Sequence, residues 1–144
     1  MSDVNAVADA RAGRQADLFA RPLRILIVDD NKSFAETLSW VLEGSGNMIA
    51  IAHNGPDAVE IAGRFEPDIV FLDIILPVMD GYEVCRQLRA NTKNPNIKIL
   101  AQSGYDDTAA EAVKHGVRFE VHLTKPLDLR QVVAVIGDIR HGRL

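Results

Sequence analysis

The sequence predicts an α/β domain built on a doubly wound, five-stranded parallel sheet with five helices, and three observations carry that prediction. Short apolar runs alternate five times with segments of helical periodicity. The central runs are apolar on both faces, as strands covered by helices on each side must be. The chain of 144 residues, 47% apolar and 25% charged, is long enough for one domain with its own core. Right-handed crossovers between parallel strands then lead to a three-layer arrangement.

The elements follow in order. "LRILIV" from Leu23 to Val28 reads as the first strand. "SFAETLSWVLEG" is a helix, with Phe34, Leu38, Val41 and Leu42 at helical spacing and Gly44 and Gly46 as stop signals. Trp40 sits off that stripe and reads as a half-buried packing residue. "MIAIA" is the second strand, and "GPDAVEIAGRF" a helix with Pro56 in its first turn. "DIVFLD" is the third strand, followed by the helix "GYEVCRQLRA", where Cys85 reads as a small core residue. "IKILAQS" and "RFEVHLTK" are the fourth and fifth strands, with the helix "DDTAAEAVKHG" between them. "LDLRQVVAVIGDI" closes as a helix. Residues 1–22 are Ala-rich with scattered charge, and read as an N-terminal extension, either flexible or a short helix, before a domain over 23–144.

Bulk properties exclude several function classes. The net charge of −4 argues against direct nucleic-acid binding, which requires a basic footprint. No apolar run reaches the roughly 18 residues of a membrane span, and the N-terminus lacks the apolar stretch of a secretory signal. A single cysteine rules out an intrachain disulfide and fits a reducing, cytoplasmic setting. His53, His115 and His141 show no ligand spacing and read as surface residues.

The chemistry lies at the strand ends. In doubly wound sheets, ligands bind outside the carboxyl ends of the strands, where strand order reverses. The first strand ends at Asp29 and Asp30, the third at Asp73, the fourth at Ser103 and the fifth at Lys125, before Pro126. Three clustered carboxylates repel one another unless one is protonated or a cation is bound. Oxygen ligands without accompanying His or Cys favour Mg2+ over a transition metal. A cation, an ammonium and a hydroxyl together meet the needs of phosphoryl transfer, which are positioning and charge neutralisation. A carboxylate can itself be the nucleophile.

The stretches "ILIVDDN", "AHNGPDAVEIA", "PDIVFLDIILPVMDGYEVCRQLR", "ILAQSGYDD" and "HLTKPLD", in that order and over about Leu23 to Asp138, resemble the receiver domain of two-component response regulators. The resemblance implies the flavodoxin-like receiver fold with strand order 2-1-3-4-5. It implies that Asp73 is the phosphoacceptor, that Asp30 binds Mg2+ directly and Asp29 largely through water, and that the backbone carbonyl of Ile75 completes the protein ligands. Lys125 would pair with Asp73 and then with its phosphoryl group, Ser103 would be the switch hydroxyl, and the Lys125–Pro126 bond would be cis. Gly81, after Met79 and Asp80, suits the loop beside the site. Implied partners are a sensor histidine kinase or histidine phosphotransfer protein, and a downstream protein bound through the fourth helix, fifth strand and fifth helix. A phosphorylation-dependent homodimer, a relay intermediate, a stand-alone switch and a piece of a larger protein all fit the resemblance.

Two positions depart from the family pattern. Where a large aromatic often couples to the switch hydroxyl, three residues before the lysine, this chain has His122, which titrates near neutrality. At the positions that would control dephosphorylation stand Ile75 and Tyr105, neither a short polar group able to align water, so self-hydrolysis is expected to be slow. Ile75 also counts against an aspartyl-phosphate phosphohydrolase, which usually has a second Asp there. A phosphorylation-independent interaction module usually loses an acid or the lysine, and here all are present. A flavodoxin-like cofactor binder lacks support, because no Gly-rich phosphate loop follows the first strand.

Overall fold

A computed structural model describes residues 22–104 and 108–144. The expectation for the N-terminal extension therefore lies, Pro22 apart, outside the described residues, as does Tyr105. The described chain divides into two units, residues 23–127 and residues 128–144.

The first unit runs β1 (Arg24–Val28), α1 (Lys32–Glu43), β2 (Met48–Ala52), α2 (Gly55–Phe65), β3 (Ile69–Asp73), α3 (Gly81–Asn91), β4 (Lys98–Ser103), α4 (Thr108–Lys114) and β5 (Val121–Thr124). Every strand pairing is parallel and the order is β2-β1-β3-β4-β5. The chain steps outward from β1 to β2, then returns to the other side of β1 for β3. The carboxyl ends of β1 and β3 thus flank the point where strand order reverses.

The strands are two-faced, as their apolar runs require. Leu26, Val28, Val70 and Leu72 form one cluster with Ala58 of α2 and with Val84, Cys85 and Leu88 of α3. Alternate residues Ile25, Ile27, Ile69 and Phe71 project to the opposite face and are equally buried. The helices start where the sequence supplies a cap. Asn31, Asn54 and Asp80 each accept a hydrogen bond from the backbone N–H three residues on, satisfying an otherwise orphaned donor of α1, α2 and α3 respectively. Those caps follow strand carboxyl ends, so the electropositive helix starts face the edge where the acids collect.

In the second unit, α5 (Leu129–Arg140) is capped by the Asp128 side chain and buries Val132, Val135 and Ile136 along one stripe. Among the described residues no helix is long and apolar enough to cross a membrane.

Two expectations are corrected. Trp40 is 63% exposed rather than half-buried. The fifth strand begins at Val121, not at Arg118. Just before it, the Glu120 N–H donates to the Ile99 carbonyl at 2.9 Å while the Glu120 carboxylate takes the Ile99 N–H at 2.7 Å. The same carboxylate receives Arg89 at 2.8 Å and also pairs with Arg118. Burial alone would raise the pKa of Glu120, but the Ile99 N–H and Arg89 outweigh it and hold the group ionised below the usual glutamate range. Its contribution is therefore present above the ordinary glutamate pKa and is lost as pH falls through the lowered folded-state value. Glu120→Ala should cost roughly 1.5–3 kcal/mol at neutral pH, the usual worth of hydrogen bonds to a charged group. Urea unfolding at neutral and acidic pH would check this, since wild-type and variant stabilities should converge in acid.

Candidate functional site

Each strand end delivers its residue by a local hydrogen bond. At the end of β1, the Asp29 N–H donates to the Ala52 carbonyl at 3.0 Å, carrying the chain one residue beyond the strand. The Asp29 side chain is fully buried, and its Oδ1 accepts the Asn31 N–H at 2.9 Å. Asp73 closes β3 at 6% exposure, and its Oδ1 accepts the Ile75 N–H at 3.2 Å. Asp30 is exposed, and one carboxylate oxygen each from Asp29, Asp30 and Asp73 lies within 4.8 Å of the others. Ser103 is buried at the end of β4, where its carbonyl accepts the Lys125 N–H at 2.8 Å. The Lys125–Pro126 peptide bond is cis.

Lys125 holds the cluster together. Its Nζ donates to Asp29 Oδ2 at 3.1 Å and to Asp73 Oδ2 at 3.2 Å, and lies 5.3 Å from the centre of the Phe34 ring, within cation–π range. Burial raises the pKa of Asp73, and the Asp29 charge adds to this, while Lys125 pulls the other way. For Lys125, burial alone would lower the pKa, but the two carboxylates outweigh it and the ammonium is held above its ordinary range. An ammonium shared by two buried carboxylates leaves the third acid at the open side of the cluster. The donor set is oxygen only, which fits a hard divalent cation such as Mg2+.

The side chains of His122 and Ile75 are both open to solvent. His122 is exposed on β5 with its ring edge-on to Phe119 at a centroid distance of 5.6 Å, and burial against its surroundings lowers its pKa. Ile75 is 57% exposed. One further residue emerges that the sequence did not single out. Gln102 of β4, fully buried, donates from Nε2 to Asp29 Oδ2 at 3.1 Å. Its only sequence signal is a large polar residue inside an apolar strand. His53 is half-buried rather than on the surface, with Nδ1 2.9 Å from the Asp29 carbonyl oxygen. Gly81 is fixed by close approach: a Cβ there would lie 2.6 Å from the Ile74 Cα and 2.7 Å from the Asp73 carbonyl oxygen. That proximity lets the Gly81 N–H donate to the Ile74 carbonyl at 2.8 Å, which seats the chain leaving Asp73.

A family model described as the response regulator receiver domain matches residues 25–137. The chain is similar to the signal receiver domain of a DNA-binding response regulator from Colwellia psychrerythraea 34H, at 31% identity over 81% of this chain and 97% of that one, with a TM-score of 0.71. A two-component response regulator from Clostridium difficile matches at 28% identity over 84% and 97% of the respective chains, with a TM-score of 0.73. A response regulator protein from Burkholderia pseudomallei, solved with a phosphorylated aspartic acid, a calcium ion and citrate, matches at 32% identity and a TM-score of 0.69. That match covers 78% of this chain and 65% of the other.

Gly81→Ala should cost roughly 1–3 kcal/mol, because the new methyl meets backbone that cannot step aside. A denaturation midpoint unchanged from wild type would show that the approach is looser than described. The His122 imidazole should titrate below the ordinary value of about 6.5, read from its ring proton shifts by NMR against pH.

Proposed function

The chain belongs to the response regulator receiver domain family, and on that premise we propose that it is a phosphorylation-activated switch whose acceptor is Asp73. The observation that carries the proposal is the Lys125 ammonium set between Asp29 and Asp73, at 3.1 and 3.2 Å, with Asp30 completing the acid cluster. The phosphorylated aspartic acid and cation of the Burkholderia pseudomallei relative support the same chemistry here.

The donor is a phosphohistidine on a sensor histidine kinase or a histidine phosphotransfer protein. A carboxylate oxygen of Asp73 attacks phosphorus, the P–N bond breaks with its electron pair going to the imidazole, and the imidazole takes up a proton. The product is an acyl phosphate on Asp73. The Ile75 N–H, already bonded to Oδ1, orients the carboxylate for attack from its other oxygen. Asp30, Asp73 and the Ile75 carbonyl would hold Mg2+, with Asp29 largely through water, and the ion would supply charge neutralisation to the phosphoryl oxygens. Lys125 moves its ammonium from the paired carboxylates to the phosphoryl group, and Ser103 donates its hydroxyl. The new bonds bias a two-state equilibrium at the loops leaving β4 and β5, so that α4, β5 and His122 present a changed surface to a downstream protein or a second copy of the chain. The domain spans 23–144, after an extension over 1–22, and works in the cytoplasm.

Turnover as a phosphohydrolase is disfavoured, since Ile75 stands where a general acid would be needed and is itself exposed. A module working without phosphate has no use for a lysine shared between two buried acids, an arrangement costly to keep. Ile75, an aliphatic residue, shields the acyl phosphate rather than aligning water against it.

Incubation with acetyl phosphate, read by intact-protein mass spectrometry, should add one phosphoryl group with Mg2+, none with EDTA and none to Asp73→Ala. Addition that persists in Asp73→Ala would overturn the assignment of the acceptor. The phosphorylated form should decay over minutes or longer at neutral pH, and Ile75→Asn should shorten its half-life at least about tenfold by orienting water. A wild-type half-life of seconds would refute the shielding role.

A further inference from the structure

Gln102 is a long polar side chain with no exposed surface, on the strand that otherwise buries Ile99, Leu100 and Ala101. It lies in register with Asp73 across the β3–β4 pairing, and its backbone carbonyl accepts the Ile74 N–H at 3.2 Å. Its side chain reaches past β3 to β1, where Nε2 donates to Asp29 Oδ2 at 3.1 Å. The amide can face Asp29 only this way round, because an ionised carboxylate accepts and cannot donate. Oε1 shares a carbon with Nε2 and so lies close to Asp29 as well. Among the described residues it is the one buried side-chain oxygen or nitrogen with no hydrogen-bond partner.

Burying an acceptor without a partner costs about 1–3 kcal/mol, which offsets what the Nε2 bond to Asp29 contributes. The cost is accounted for if the oxygen gains a partner when the site is loaded. Magnesium keeps several of its waters when bound by few carboxylates, and those waters are donors. Asp29 needs the other half of the amide. Its Oδ2 already receives Lys125, and a second donor fixes the carboxylate plane as the ammonium leaves.

We infer that Gln102 is a positioning residue for the cation site: its Nε2–H fixes Asp29, and its Oε1 accepts from a water of the bound cation. The inference rests on the reading of Asp29, Asp30 and Asp73 as a cation site, and does not need the phosphoryl step. Residues behind metal ligands commonly contribute 10- to 100-fold to affinity.

The test is Mg2+ titration by isothermal calorimetry and Mn2+ titration by electron paramagnetic resonance, on wild type, Gln102→Met and Gln102→Leu, with thermal unfolding measured on each without cation. Both variants should bind either cation at least about tenfold more weakly, while melting close to the wild-type temperature, a combination that a purely structural role would not produce. The Leu variant serves if the Met variant does not fold. Wild-type affinity in a folded variant overturns the inference, as does weaker binding matched by an equal loss of cation-free stability. Saturable, Gln102-dependent binding in a protein that takes no phosphoryl group would support the inference and overturn the proposed function instead. Wild type with no saturable binding overturns both.

Discussion

Lys125 reaches from just beyond β5 to two buried carboxylates on two different strands, and much of the site depends on that reach. A unit pair at about 4 Å is worth about 4 kcal/mol at an effective dielectric near 20, and less as water enters. Against this stands the desolvation of Asp29, which has no exposed surface, and of Asp73, which has little. Neither position exposes enough of a lone carboxylate to water to offset that cost. Held between them, the ammonium makes the cluster tolerable, and the raised pKa of Asp73 marks how incompletely it does so. A site left slightly short of positive charge favours the approach of a cation.

The fold supplies this arrangement cheaply. Parallel strands all end at one edge, so β1, β3, β4 and β5 bring their last residues together without loops having to fold over the site. Short ties then set each side chain. Asn31 caps α1 with its side chain while its N–H holds Asp29, so one residue both starts the helix and orients an acid. Gly81 lets the start of α3 close on the Asp73–Ile74 peptide, which no larger residue could approach. At the opposite end of β4 and β5, the Glu120 carboxylate takes the Ile99 N–H and clamps Arg89 of α3.

The parts legible in the sequence were those governed by periodicity and by strand direction. Apolar runs of β1, β3 and β4 located the sheet, and the polar residue closing each run located the edge that carries the chemistry. What stayed hidden depended on register and on side-chain reach. Gln102 looked like one more residue of a strand, and only the register with Asp73 and its bond to Asp29 give it a role. His53 carries no spacing signal because its partner is a backbone carbonyl of another strand end. The role of Glu120 carries no sequence signal, since it is an ordinary strand-edge acid until its carboxylate finds the Ile99 N–H. Trp40 became an exposed residue because α1 buries Ala35, Leu38, Ser39 and Leu42, a stripe that leaves it outside.

The central claim is that three acids from two strands act as one site with Lys125. The most direct measurement is a Mg2+ titration of 15N-labelled protein followed by amide shifts. The amides of Asn31 and Ile75, which donate to Asp29 and Asp73, should move together along one saturable curve. The Glu120-linked amide of Ile99, at the other end of β4, should stay still. Shifts that fail to saturate, or that separate the Asn31 and Ile75 curves, would contradict the account.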